Sequence, residues 1–212
     1  MNLNFDHLVI AARDLDEGVE WVEQRLGATL GNGGKHDLMG THNRLLALGP
    51  GRFLEVIAID PGAPPPLQPR WFDLDSSAMK ERLARGPALI HWVARTDDIE
   101  EAAAGQSPMP EILAIARGAF RWRITVAADG SLPRGGIQPT MIQWFSQHPA
   151  ELLPDAGCRL EALVLKHPDA PAILHALRFA GLSADDPVRS HHEGAGLEAR
   201  IRTPKGVVEL RE

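Results

Sequence analysis

One pattern in this chain occurs three times, and that repetition limits its fold more than any other feature. HLVIAARD at positions 7–14 is followed by LDEGVEWVEQRLG. HWVARTDD at 91–98 is followed by IEEAAAG. ALVLKHPD at 162–169 is followed by APAILHALRFAG. Each copy is a short apolar run, an Asp seven residues after its first position, and a helical stretch that ends at Gly. The runs are rich in Val, Ile and Leu and too short for helices, so they read as strands. Asp14, Asp98 and Asp169 stand where a carboxylate can accept the orphan N–H groups of a first helical turn. Gly27, Gly105 and Gly181 suit the helix stops.

More strand-like runs follow each helix. They are ATLGNG, HNRLLALG and RFLEVIAI in the first copy, and EILAIARG, FRWRITVAA and PTMIQWF in the second. DPVRSHH, LEARIRT and GVVEL form the third set, and Gly-rich turns separate the runs. Each copy therefore reads βαβββ, a unit with one sheet face that needs a partner to bury it. The predicted fold class is α+β: paired βαβββ modules forming a curved, cup-shaped mixed sheet, with a third βαβββ-like unit at the C-terminus. The predicted divisions are a first module over 1–60, a Pro-rich linker and short helix over 61–86, a second module over 87–146 and the third unit over 147–212. Asp75 or Ser76 is the expected cap of the linker helix.

The balance of charge narrows the partners. The chain has 212 residues and a formal net charge of −6, which gives no electrostatic footprint for nucleic acid. No apolar run approaches the ~20 residues that span a bilayer, and the N-terminal stretch carries acids where a signal core would continue. The expected location is the cytoplasm, with no membrane or nucleic-acid partner. The single cysteine, Cys158, excludes an internal disulfide and a Cys-rich metal site.

The repeat also places the chemistry. His7 and His91 open the first strands of copies one and two, and Glu55 and Gln143 lie in their last strands. A pseudo-twofold between the copies would bring all four to the centre of the sheet. Two imidazoles, a carboxylate and an amide oxygen can ligate Zn²⁺, Ni²⁺, Mn²⁺ or Fe²⁺, and such a metal could act as a Lewis acid on a bound carbonyl or diol. Strand alternation puts Gln143 on one face with Met141 and Phe145, as candidate substrate contacts, and sends Trp92 and Trp144 to the other. His42 and Asn43, in the turn GTHN, could point into the mouth of the cup. Arg121 and Arg123 share a face and would clamp a carboxylate if that face is the concave one. The alternative for the four central residues is a metal-free pocket in which they hydrogen-bond one another or an organic ligand.

The stretches DHLVIAARDLDEGVEWVEQRLG (6–27), GTHNRLLALGPGRFLEVIAID (40–60), IHWVARTDD (90–98) and PTMIQWF (139–145) resemble the glyoxalase-like proteins of the vicinal-oxygen-chelate superfamily, which includes glyoxalase I, extradiol dioxygenases and bleomycin-resistance proteins. The resemblance implies βαβββ modules over roughly 4–146. It implies metal ligands at His7, Glu55, His91 and Gln143, and a lyase, isomerase or dioxygenase acting on a small oxygenated metabolite. The family places a carboxylate where this chain has Gln143, and an amide cannot take up a proton near neutral pH, which leaves Glu55 as the candidate base. Other superfamily members bind small molecules without catalysis, and that is the alternative function here. Copy three has Ala162 where the others have His. It is expected to cover a sheet edge, close the cup, or pair with its counterpart in a homodimer.

Overall fold

The structure, a computed structural model, describes residues 1–211. The first copy runs through β1 (Leu3–Ala11), α1 (Leu15–Leu26), β2 (Gly31–His36), β3 (Thr41–Ala47) and β4 (Phe53–Ile59). A linker carrying α2 (Ser77–Leu83) leads to β5 (Ala88–Thr96), α3 (Ile99–Ala104), β6 (Glu111–Arg117), β7 (Phe120–Val126) and β8 (Thr140–Trp144). The third copy is β9 (Arg159–Lys166), α4 (Ala170–Phe179), β10 (Val188–His191), β11 (Gly196–Thr203) and β12 (Gly206–Arg211).

Local sequence explains the helix boundaries. The Asp14 carboxylate accepts from the N–H groups of Asp16 and Glu17, and Gly27 closes α1 in the left-handed conformation. Asp98 caps α3 through the Glu101 N–H, and Ser76 caps α2 through the Met79 N–H. Asp169 precedes α4 but makes no side-chain cap.

Copies one and two share one curled mixed sheet of eight strands, in the order β2-β3-β4-β1-β5-β8-β7-β6. Its centre is the antiparallel pair β1–β5, in which His7 lies opposite Val93 and Val9 opposite His91. That register is a local twofold relating His7 to His91. In both copies the first strand also pairs in parallel with the last, β1 with β4 and β5 with β8. The third copy has the same element order but a different sheet. Its four strands run β10-β9-β11-β12, so its first strand lies between its second and third.

The large sheet separates two apolar layers. On the convex side, Leu8 and Ile10 of β1 and Trp92 of β5 join Val22 and Leu26 of α1 and Leu163, Leu165 and Ile201 of the third unit in one buried cluster. Burial of each such side chain contributes about 1.5–3 kcal/mol. The third unit is thus packed on the outside of the sheet. It is tied there by the Phe5 N–H donating to Asp186 at 2.7 Å and by the Arg52–Asp186 ion pair, also 2.7 Å. On the concave side the linker turns inward. Trp71, Phe72, Leu74, Met79 and Leu83 pack there with Val9, Ile57, Val93, Ile124 and Ile142. The Pro-rich linker therefore plugs part of the cup. Among the described residues, no helix is long and apolar enough to cross a membrane.

Candidate functional site

A bulge in β1 sets up the site. Phe5 pairs with Ala94 and His7 with the next residue back, Val93, so Asp6 is one residue in excess. Bulges re-aim side chains, and here Asp6 comes to lie beside His7 in the buried interior. His7 Nδ1 donates to Asp6 Oδ1 at 2.6 Å. The other carboxylate oxygen, Oδ2, accepts from His148 Nε2 at 2.9 Å and from the Trp144 indole N–H at 3.1 Å. Burial alone would raise the Asp6 carboxyl. The hydrogen bonds from His148 and His7, and their charge, outweigh it and hold the group well below the usual carboxylate range.

His7 Nε2 is left facing Glu55 of β4, with Oε2 3.7 Å away. Glu55 Oε1 accepts from Asn43 Nδ2 at 2.5 Å. Asn43 Oδ1 accepts from the Gly34 N–H at 2.8 Å and from Arg117 at 3.1 Å. The same guanidinium nitrogen donates to His36 Nε2 at 3.0 Å, so His36 carries its proton on Nδ1 and donates to Thr41 Oγ1, also at 3.0 Å. Burial, with Arg117 beside it, pushes His36 down to about 3 and keeps it neutral. Arg117 comes from β6, the far edge strand, and crosses to β2 at Gly34. A Cβ at position 34 would stand 2.9 Å from Arg117 Cδ, so glycine there admits the arginine.

These groups line a cavity of about 420 Å³, part of it open to solvent. His7, His36, Asn43, Glu55 and Arg117 form its polar side, and the rings of Phe53, Trp71, Phe72, Trp122 and Trp144 wall the rest. A carboxylate, an imidazole and a guanidinium on one side of such a cavity can hold a small polar molecule and move a proton on it.

Comparison with known proteins fits this architecture. The model of the glyoxalase-like domain matches residues 5–180. The chain belongs to the glyoxalase-like domain family. Similar solved structures include a methylmalonyl-CoA epimerase from Mycobacterium tuberculosis (23% identity over 66% of this chain and 85% of that one, TM-score 0.42). Another is a methylmalonyl-CoA epimerase in complex with methylmalonyl-CoA and NH4+ (19%, 69% and 96%, TM-score 0.45). A hypothetical protein from Staphylococcus aureus aligns with 99% of this chain and 84% of its own at 14% identity and TM-score 0.53, so the likeness of fold extends through the third unit. No curated protein matches the chain.

The cavity of this glyoxalase-like chain is built partly from the residues expected of it. His7, Glu55 and Asn43 meet there. His91 does not line it. Its Nδ1 donates to the Gly136 carbonyl at 3.1 Å, and its Nε2 accepts from the Thr140 N–H at 3.1 Å and lies 2.9 Å from the Thr140 hydroxyl. Burial pushes this imidazole down to about 3 as well. Gln143 faces the other way, and its Nε2 donates to the Asp97 carbonyl at 2.7 Å. The register explains this. Glu55 pairs with Val9, and the residue paired with the equivalent Val93 is Thr140. Glu55 follows His7 by 48 positions and Thr140 follows His91 by 49, whereas Gln143 follows by 52. Equal spacing would have landed on Pro139, one residue from Thr140, rather than on Gln143.

The same slip of three residues reverses the faces of β8. Ile142 and Trp144 look into the cavity. Met141 is buried in the convex core, and Phe145 is 59% exposed. Arg121 and Arg123 also lie outside. Arg123 pairs with Glu100 at 2.5 Å, and Arg121 donates to the carbonyls of Gly118 and Phe120. Their neighbour Trp122 is the inward residue. His42 alternates away from Asn43 and is not part of the cavity lining.

A zinc, nickel, manganese or iron centre needs several free donors converging on one point. Among the described residues, no three His, Cys, Asp or Glu side chains are so placed. Both His91 nitrogens are engaged, Gln143 is on the other face, and the cationic Arg117 already lies in the network that holds Glu55. The residues present do not fit the ion.

Proposed function

We propose that this chain is a glyoxalase-like enzyme that moves a proton at the carbon beside a carbonyl in a small oxygenated metabolite. The observation that carries the reading is the Asp6–His7–Glu55 arrangement on the polar side of a cavity that Arg117 also lines. Glu55 is the base. The C–H bond breaks, its proton passes to the Glu55 carboxylate and its electron pair moves onto the carbonyl oxygen. Return of the proton, to the same or a neighbouring atom, completes an isomerisation or epimerisation. Asp6 fixes the tautomer of His7, whose Nε2 is then positioned to relay the proton. The aromatic walls shield the reacting carbon on the sides that they line.

The test is exchange in D₂O. A panel of small 2-oxo acids and hydroxyaldehydes is incubated with the protein, and loss of the proton beside the carbonyl is followed by NMR. Enzyme-dependent exchange of at least one member is the expected result, and addition of a chelator should leave its rate unchanged. A panel that shows no exchange defeats the reading.

One observation favours a second reading, a metal-free binding protein without turnover. Glu55, Asn43, His36 and Arg117 already form hydrogen bonds among themselves. That reading expects ligand-dependent thermal stabilisation without exchange.

A further inference from the structure

We propose that Trp71 is an oxygen-binding donor of this cavity, and that the molecule bound there is a small planar monocarboxylate, received between the Trp71 indole N–H and the Arg117 guanidinium. This proposal does not rest on the proton-transfer reading above.

Trp71 is 3% exposed, its ring walls the cavity, and its indole nitrogen is buried with no hydrogen-bond partner. Nearly all buried donors in folded proteins are paired, and two other indoles of this chain obey the rule. Trp92 donates to the Ile137 carbonyl at 3.0 Å and Trp144 to Asp6 at 3.1 Å. An orphan donor beside a cavity is satisfied most simply by an acceptor inside that cavity.

The backbone that presents Trp71 gives independent support. Phe72 and Asp73 follow with φ of 60° and 61°, two consecutive non-glycine residues in the left-handed region. Such strain persists only where surrounding structure over-determines it, and it gathers at ligand sites. The anchors here are specific. The Arg70 N–H and guanidinium both bind Asp75, at 2.8 and 2.7 Å. The Asp73 N–H donates to the Gly130 carbonyl at 2.8 Å. A Cβ at position 130 would lie 2.2 Å from the Arg70 carbonyl, so the linker is pressed against glycine. These contacts hold a bulky indole at one orientation over the cavity.

Charge selects the class of ligand. The polar side of the cavity presents one guanidinium and one Glu55 carboxylate. The cation attracts an anion, and the carboxylate disfavours a second negative charge on it. Flat aromatic walls suit a planar group.

Oxamate, a planar monoanion that cannot exchange a proton at carbon, is the probe, and neutral oxamide is its control. By calorimetry, oxamate should bind the wild-type protein more tightly than oxamide does. Trp71→Phe keeps a ring but removes the N–H, and should weaken oxamate by about tenfold or more. A second readout needs no variant. With indole ¹⁵N labels in the wild-type protein, a buried signal among its five tryptophans should move on saturation with oxamate. No binding of oxamate, equal affinity in a folded Trp71→Phe, or binding that moves no indole signal would each overturn the proposal. Oxamate held through Trp71 without exchange on any oxo acid would defeat only the catalytic reading. Exchange together with an inert Trp71 would defeat only this one.

Discussion

The two halves of the cup carry the same three positions and use them differently. In the first half they are Asp6, His7 and Glu55, and in the second, 84 positions on for the first two, they are Ile90, His91 and Thr140. Both histidines reach toward the residue in the last strand of their own module. In the first half the imidazole lies between two carboxylates and opens on a cavity. In the second, Ile90 supplies no acceptor, the Gly136 carbonyl accepts a hydrogen bond from His91 Nδ1–H, and Thr140 replaces the acid. The Phe72 ring lies 5.4 Å from the His91 ring and covers that side. The repeat supplies two equivalent positions, of which one opens on the cavity with two carboxylates beside its imidazole and the other is packed into the core. The lesson is that equivalence within a fold predicts position but not chemistry.

Four experiments would break or sharpen this contrast. The largest effect is expected at the last-strand position. Glu55→Gln should lower proton exchange by about 10²- to 10⁴-fold while leaving the melting curve close to wild type. Thr140→Val should leave exchange nearly intact and cost about 1 kcal/mol of stability in denaturant unfolding. Equal losses of exchange in both variants would show that the halves act together.

The next largest concerns the plug. Phe72→Ala removes a buried ring and should cost about 3 kcal/mol. Phe72→Gly should be milder than Phe72→Ala by about 1 kcal/mol, because glycine accepts the positive φ. If the alanine variant is the more stable, the backbone at 72 is not strained.

Acid should act through the closed half. The His91 value of about 3 lies below the 6.5 of an unfolded chain. The unfolded state therefore binds the proton first, and stability present above pH 6.5 is lost as pH falls toward 3. The limiting slope is about 1.4 kcal/mol per pH unit. His36 adds a similar contribution from the open half. Melts between pH 7 and 4 should show a shallower acid dependence in His91→Gln than in the wild type. Identical slopes would mean that His91 is not held neutral. The smallest effect belongs to Gln143→Ala, on the outer face, with no change in exchange and less than about 0.5 kcal/mol in stability.

Much of the architecture was legible in the sequence because it rests on local rules. Strand runs, Asp caps and Gly stops recur at matching offsets, so the three βαβββ strings and the twofold between His7 and His91 follow from pattern alone. The third sheet was not legible in its strand order, since β10-β9-β11-β12 arises from the same string of elements. The polar lining of the candidate cavity was legible only on the copy-one side, at His7, Asn43 and Glu55. Asp6 was hidden by a bulge, which breaks the alternation that would assign it a face. Thr140 was hidden by a three-residue misalignment, and that error also inverted Trp144 and Met141. Trp71 and Phe72 sit in an aperiodic linker, and neither hydrophobic period applies there. Arg117 needed the curl of the whole sheet, because its partners His36 and Asn43 lie on the two strands at the opposite end of the sheet order.

That crossing has a bearing on assembly. Unpaired sheet edges are where chains ordinarily add to one another. In the large sheet the outermost strands, β2 and β6, converge on each other where Arg117 passes over Gly34. A second copy joining strand to strand would find that rim already taken by the molecule's own arginine. The margins left for such growth are β10 and β12 of the small sheet, on the side remote from the chemistry, so self-association through them could proceed without altering what enters the cup.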